Sequence, residues 1–168
     1  DWWTEAHRDT DCMKYMDSNG ETHLLITHPD EAALTGYQVS MASTAYQEDV
    51  SKVIRAITEH MTEASYAGRI IGIRLVAGRT YEWMQYGVES GQLIDYSEAT
   101  LTGFRSWLQE RYGSADALQE AWDDSSVTFE NASIPTAGER NPDGETALLN
   151  AGIGSQKKTI DYNTFLGE

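Results

Sequence analysis

The chain has 168 residues, 40% hydrophobic and 23% charged, a length that suggests one domain and a composition that excludes disordered, collagen-like and membrane-spanning classes. Its 12 basic and 27 acidic residues leave a net charge of −15, so phosphate backbones and anionic lipid surfaces repel it and neither nucleic acid nor membrane is expected as a partner. The plainest reading of so acidic a surface is solubility.

Residues 1–43 are polar and irregular, with one short apolar run at Leu24-Leu25-Ile26 that follows the turn sequence Asp17-Ser18-Asn19-Gly20. They read as a long loop with one strand. Asp1-Trp2-Trp3 lacks the basic and apolar regions of a secretion signal, and the chain reads as if cut from something longer.

Val50, Val53, Ile54, Ile57 and Met61 then fall on one stripe of a 3.6-residue period. They predict a helix over 45–64, with Thr44 and Gln47 as a capping box and Gly68 as a stop. Arg69 to Ala77 is short, branched and mostly apolar, the pattern of a buried parallel strand. Arg74 is its one interior charge, expected either to point into a polar site or to form a structural ion pair, because burying it alone is costly.

Downstream, Ser97 caps a second helix with Leu101, Phe104, Leu108 and Tyr112 inward, and Gly113 ends it. Ser114 caps a third, short helix with Leu118, Ala121 and Trp122 inward. Residues 123–155 read as loop, with a turn at Asn141-Pro142-Asp143-Gly144, and a last helix runs over 156–166. One firm strand among several helices makes an α/β chain whose sheet is incomplete.

Chemistry is best placed at Glu82, a few residues beyond the C-terminal end of that strand, where α/β folds carry their sites. Tyr81, Trp83 and Tyr86 surround it in sequence, and their desolvating effect raises a carboxyl pKa toward that of a general acid. The competing reading is an ordinary exposed loop glutamate. Five Trp and nine Tyr against three Phe favour aromatics with a polar handle, as in sites that stack on a sugar ring and bond its rim. Trp2, Trp3, Trp83 and Tyr86 stand in expected loops, where the alternative is packing of loop on core; Trp107 and Trp122 are at helical spacing and read as core.

His7, His23, His28 and His60 show no metal spacing, and the single Cys12 excludes a disulfide framework and a cysteine-based zinc site. No phosphate-binding loop, dinucleotide fingerprint or nucleophile elbow occurs. No metal or cofactor is expected. Asn131-Ala132-Ser133 matches a glycosylation sequon and reads as coincidence.

Taken in order, these segments resemble the catalytic barrel of glycoside hydrolase family 42-type β-galactosidases and their clan A relatives. The resemblance rests on Ser40-Met41-Ala42-Ser43 before the helix, Ile70-Ile71-Gly72-Ile73, and Gly78-Arg79-Thr80-Tyr81-Glu82-Trp83. It continues through Asp95-Tyr96-Ser97, Phe104-Arg105-Ser106-Trp107-Leu108, Arg111-Tyr112-Gly113, Ala121-Trp122 and Asp161-Tyr162-Asn163-Thr164-Phe165-Leu166. No one motif is diagnostic; their order is.

The resemblance implies a partial (β/α)8 barrel: a loop and strand region over 1–43, helix plus fourth strand over 44–83, an inserted loop and helices over 84–155, and the start of the next barrel helix over 156–168. It implies a retaining hydrolase of β-linked galactosides with Glu82 as acid/base and Trp83, Tyr81, Tyr86, Arg74, Trp2 and Trp3 as substrate contacts. Clan A enzymes commonly carry Asn directly before the acid/base; here Tyr81 stands there. The cysteine cluster that holds zinc in some members is absent. A complete barrel needs about 250 residues, and the family's nucleophile, a second Glu on strand seven, has no counterpart in this chain. The alternative is a non-catalytic carbohydrate-binding or relic segment. A partial barrel also exposes apolar faces and strand edges, which predicts self-association.

Overall fold

The computed structural model describes residues 2–27, 36–74, 92–140 and 156–168. Two short helices, α1 (Trp2–Ala6) and α2 (Arg8–Asp11), open the chain. Strands β1 (Lys14–Met16) and β2 (Thr22–Leu24) pair antiparallel with Lys14 opposite Leu24, and β3 (Ile26–Thr27) pairs antiparallel with β4 (Gly36–Tyr37). The turn from β1 to β2 forms at the expected tetrad. Asp17 Oδ1 accepts from the backbone N–H groups of Asn19 and Glu21 at 2.8 and 2.9 Å, and Gly20 takes φ +83°, a conformation that favours glycine.

The single strand expected in residues 1–43 is thus replaced by helices and short paired strands, and Trp2 and Trp3 lie on a helix instead of a loop. Strands of two or three residues are too short to print an alternation. Two isolated bridges add more distant partners: Cys12 pairs with Val39 and Tyr15 with Ile94. Met13, Leu25 and Ile94 close over this region as a small apolar cluster flanked by Tyr15.

Helix α3 (Thr44–Glu63) forms where the apolar stripe places it. Its cap is Ser43, one residue earlier than expected: the Ser43 Oγ accepts from Tyr46 N at 3.1 Å and donates to Asp11 Oδ1 at 2.6 Å. The half-buried Asp11 bond selects Ser43 over Thr44. Gln47 uses its amide elsewhere, donating to the Met41 carbonyl at 2.8 Å.

The stripe itself is uncovered. Val53, Ile54 and Ile57 are 57%, 39% and 52% exposed. After a 3-10 turn at Ala67–Arg69, residues 70–74 are in no strand and Ile71 and Ile73 are exposed. The expected buried parallel strand is therefore not formed over its described part; residues 75–77 lie outside the described residues. A parallel strand exists only through neighbours on its edges, and among the described residues every strand pair is antiparallel. Arg74 is likewise exposed and makes no ion pair among the described residues, in place of the inward or paired role expected of it.

The main core is helical. Ser97 caps α4 (Glu98–Tyr112) through Thr100 N, and Gly113 ends it at φ 69°. Ser114 caps α5 (Ala115–Trp122) through Ala117 N. A short helix α6 (Ala137–Arg140) and the last helix α7 (Lys157–Gly167) follow. Phe104, Leu108, Leu118, Val127, Ile134 and Tyr162 form the buried cluster, with Trp107, Trp122 and Phe165 packed against it. Phe104 meets Tyr162 edge-on at 5.2 Å, a favoured aromatic geometry. Helices α4 and α7 approach so closely at Gly103 that an added Cβ would stand 3.2 Å from the Phe165 ring. No helix among the described residues is long and apolar enough to cross a membrane.

The bare face of α3 yields a direct prediction. Val53→Lys, Ile54→Lys and Ile57→Lys together abolish concentration-dependent association of the chain in sedimentation velocity. The parent chain is expected to show that association, and the variants to keep its thermal stability within about 0.5 kcal/mol per site, because exposed substitutions cost little. Association that persists unchanged in the triple variant contradicts the expected role of this face.

Candidate functional site

Tyr81, Glu82, Trp83 and Tyr86, the expected centre of the site, lie outside the described residues. What the structure describes is the frame on either side of them. On the N-terminal side stands the exposed 70–74 segment with Arg74. On the C-terminal side the chain re-enters the core at Leu93 to Ser97, and here it is anchored tightly.

Asp95 is the anchor, 4% exposed. Its Oδ1 accepts from Lys14 N at 3.0 Å and Ser97 N at 2.9 Å. Its Oδ2 accepts from the Ser97 and Thr100 hydroxyls at 3.0 and 2.7 Å. The Tyr162 hydroxyl donates to the Asp95 carbonyl at 2.6 Å and accepts from Asp95 N at 3.0 Å. One residue thereby joins β1, the start of α4 and α7. Around it, Tyr96 OH donates to the Pro135 carbonyl at 2.8 Å and Arg140 donates to the Ile94 carbonyl at 2.6 Å. The Arg140 guanidinium lies 5.1 Å from the Tyr162 ring centroid. Burial pushes the Tyr162 phenol well above its ordinary value, so the hydroxyl stays a donor.

A second buried carboxylate, Asp161 on α7, ties the helices together. Its Oδ2 accepts from Tyr112 OH at 2.6 Å and Trp122 Nε1 at 2.9 Å, and its Oδ1 from Lys157 Nζ at 2.7 Å. Burial works against the Lys157 ammonium, but the bond to Asp161 outweighs it and the pKa rises. The Tyr112 phenol is raised by burial and by its bond to the same carboxylate.

These two carboxylates are the functional-looking residues that sequence reasoning passed over as motif members. Their chemistry is structural. Each has its oxygens occupied by several donors, which removes them as nucleophiles or proton donors to a substrate.

The tryptophans of α1 differ from each other. Trp2 is 79% exposed. Trp3 stacks on His7 at 4.1 Å and donates its indole N–H to Asp49 Oδ2 at 3.0 Å, holding α1 on α3. Asp17, Glu21 and His23 bring ligand-type atoms within 4.8 Å of one another at the hairpin turn. They are the turn's own hydrogen-bond scheme, because Asp17 already accepts from Asn19 N and Glu21 N and pairs with His23 Nε2 at 3.0 Å.

The model of glycoside hydrolase family 42, described as beta-galactosidase, matches residues 34–165. The curated beta-galactosidase Bga of Halorubrum lacusprofundi is 26% identical over 131 residues, 72% of this chain and 16% of that protein. The crystal structure of the beta-galactosidase from the psychrophilic Marinomonas ef1 aligns with a TM-score of 0.50 at 21% identity, covering 81% of this chain and 18% of that one. The chain therefore spans about one-sixth of the length of these relatives.

Two predictions follow from the anchors. Tyr162→Phe strips Asp95 of both phenol bonds and lowers unfolding free energy by about 1–3 kcal/mol, the cost of leaving buried backbone groups unpaired; urea denaturation measures it. Asp11 supplies the second. Burial alone would raise its carboxyl, but bonds from Ser43, Thr10 and His7 outweigh it and hold the pKa below the ordinary value. Its contribution is complete above the unfolded pKa of about 4 and is lost as pH falls through the lower folded value. Ser43→Ala, which removes the strongest of those bonds, flattens the dependence of the urea midpoint on pH below about 4.

Proposed function

Because the chain belongs to glycoside hydrolase family 42, the family described as beta-galactosidase, we propose that it carries the acid/base half of a retaining β-galactosidase site, with Glu82 protonating the leaving oxygen. The match across residues 34–165 carries this reading, since that range includes Tyr81, Glu82, Trp83 and Tyr86. The occupied state of Asp95 and Asp161 supports it by subtraction: neither buried carboxylate among the described residues is available for catalysis.

In a retaining glycosidase two carboxyl groups stand about 5–5.5 Å apart. One, protonated, donates to the glycosidic oxygen as the bond to the anomeric carbon breaks. The other attacks that carbon and holds the sugar as a covalent ester until water, activated by the first group as base, releases it. Glu82 takes the first role. The acid step requires a carboxyl with a raised pKa, and Tyr81, Trp83 and Tyr86 are the neighbours of Glu82 in sequence. The nucleophile comes from the remainder of a protein such as the matched relatives, of which this chain spans about one-sixth. The substrates are β-linked galactosides. Trp83, Tyr81 and Tyr86 wall the sugar, and Tyr81 brings a phenol where the family commonly has an amide toward the 2-hydroxyl. Arg74 and Trp2, both exposed, contribute outer contacts, whereas Trp3 is committed to His7 and Asp49. The chemistry calls for no metal or cofactor. Carbohydrate binding without turnover is the second reading, and the small share of the relatives' length favours it for this chain acting alone.

Glu82→Gln in an active protein carrying this segment lowers kcat/KM on lactose by about 10²–10⁴-fold, the usual contribution of general acid–base catalysis. The loss on a nitrophenyl β-galactoside is smaller, because that leaving group departs with little protonation. Equal turnover of lactose by variant and parent removes Glu82 from the mechanism.

A further inference from the structure

The end of α5, the 123–136 loop, α6 and α7 surround a recess of about 350 Å³, the small end of the range for ligand sites. Trp122 forms part of its wall, with Asp124, Asn131, Ser133, Glu139 and Lys158. Most of these groups are held in place by bonds behind them. Asp124 Oδ1 accepts from Ser126 N and Oγ at 2.9 and 2.6 Å. Asn131 accepts from Thr128 N at 2.7 Å and donates to the Ser126 carbonyl at 2.9 Å. Glu139 accepts from Thr136 N at 2.7 Å and from Lys158 Nζ at 3.0 and 3.1 Å. The Trp122 indole is pinned through Nε1 to Asp161.

Each side chain keeps capacity beyond those bonds. A carboxylate has about four lone-pair positions, an amide nitrogen two donors and an ammonium three. The Ser133 hydroxyl makes no hydrogen bond among the described residues. The charge set then narrows the ligand. Lys158 pairs with Glu139, which leaves the lining the single net negative charge of Asp124 and disfavours an anion. A wholly apolar molecule would strand the polar lining. A neutral polyol matches this polar lining: its hydroxyls donate to the carboxylates and accept from the amide and ammonium, beside the half-buried edge of Trp122.

We propose that this recess is a non-catalytic saccharide site that takes one pyranose ring through Trp122, Asp124, Asn131, Ser133, Glu139 and Lys158. It goes beyond the catalytic reading and does not use Glu82.

The test titrates the ¹⁵N-labelled full chain with methyl β-galactoside and with lactose, following the Trp122 indole N–H and the Asn131 side-chain amide. Saturable shifts with a Kd on the order of 1 mM are expected. Ser133→Trp fills the recess from an exposed position without breaking a hydrogen bond and weakens binding at least about tenfold. Lys158→Met does the same by removing a donor, and carries the test if the bulky variant misfolds. Glu82→Gln leaves the shifts intact, which separates this site from the catalytic one. Shifts that do not saturate, that survive both recess variants, or that vanish in Glu82→Gln overturn the proposal.

Discussion

The Asp95 carboxylate is the constraint on which the described structure turns. A buried carboxylate is tolerated only when its lone pairs are met, and the four donors that meet these come from β1, the Ser97 cap and Thr100 of α4. The backbone of the same residue is held by Tyr162 of α7. Moving any of these elements would leave charge or a peptide group unpaired in the interior. The bond set therefore fixes their relative placement more sharply than apolar contact, which is non-directional. Ser97 serves both the carboxylate and the first turn of α4, so helix initiation and tertiary docking are one event.

Asp161 repeats this logic on the other side of the aromatic cluster. Tyr112, Trp122 and Lys157 converge on it from α4, α5 and α7, and the rings that deliver two of those donors also pack against the core around Phe104. An amphipathic ring satisfies both demands at once, with an apolar body in the cluster and a polar edge on the carboxylate. This gives Tyr112 and Trp122 a structural role whatever else they contact. Trp3, bonded to Asp49 and stacked on His7, belongs to the same class.

Against this anchored half stands the other face. Helix α3 keeps its apolar stripe in solvent, and Ile71 and Ile73 follow it into an exposed segment. An amphipathic helix is written to cover something, and the chain's span of about one-sixth of the matched β-galactosidases is consistent with the cover being the rest of a larger fold. The chain from Ile94 to Ser97, by contrast, is built from residues that bond to one another and to β1 and α7.

What the sequence determined by itself was local. Ser97, Gly113 and Ser114 end and begin helices because cap side chains and a left-handed glycine act within four residues of their own position. Asp17 to Gly20 turns for the same reason, and the stripe from Val50 to Met61 is a helix whatever surrounds it. The ordered motifs from Ser40 to Leu166 also sufficed for the family. Tertiary structure alone decided the rest. The cap of α3 moved to Ser43 because Asp11, distant in sequence, bonds it. The branched run after Arg69 forms no strand over 70–74 because a strand is defined by neighbours, and its own residues cannot supply them. The roles of Asp95 and Asp161 were invisible for the same cause: a carboxylate reads alike in sequence whether it awaits a substrate or already holds three or four donors, and only the positions of those donors tell the two apart.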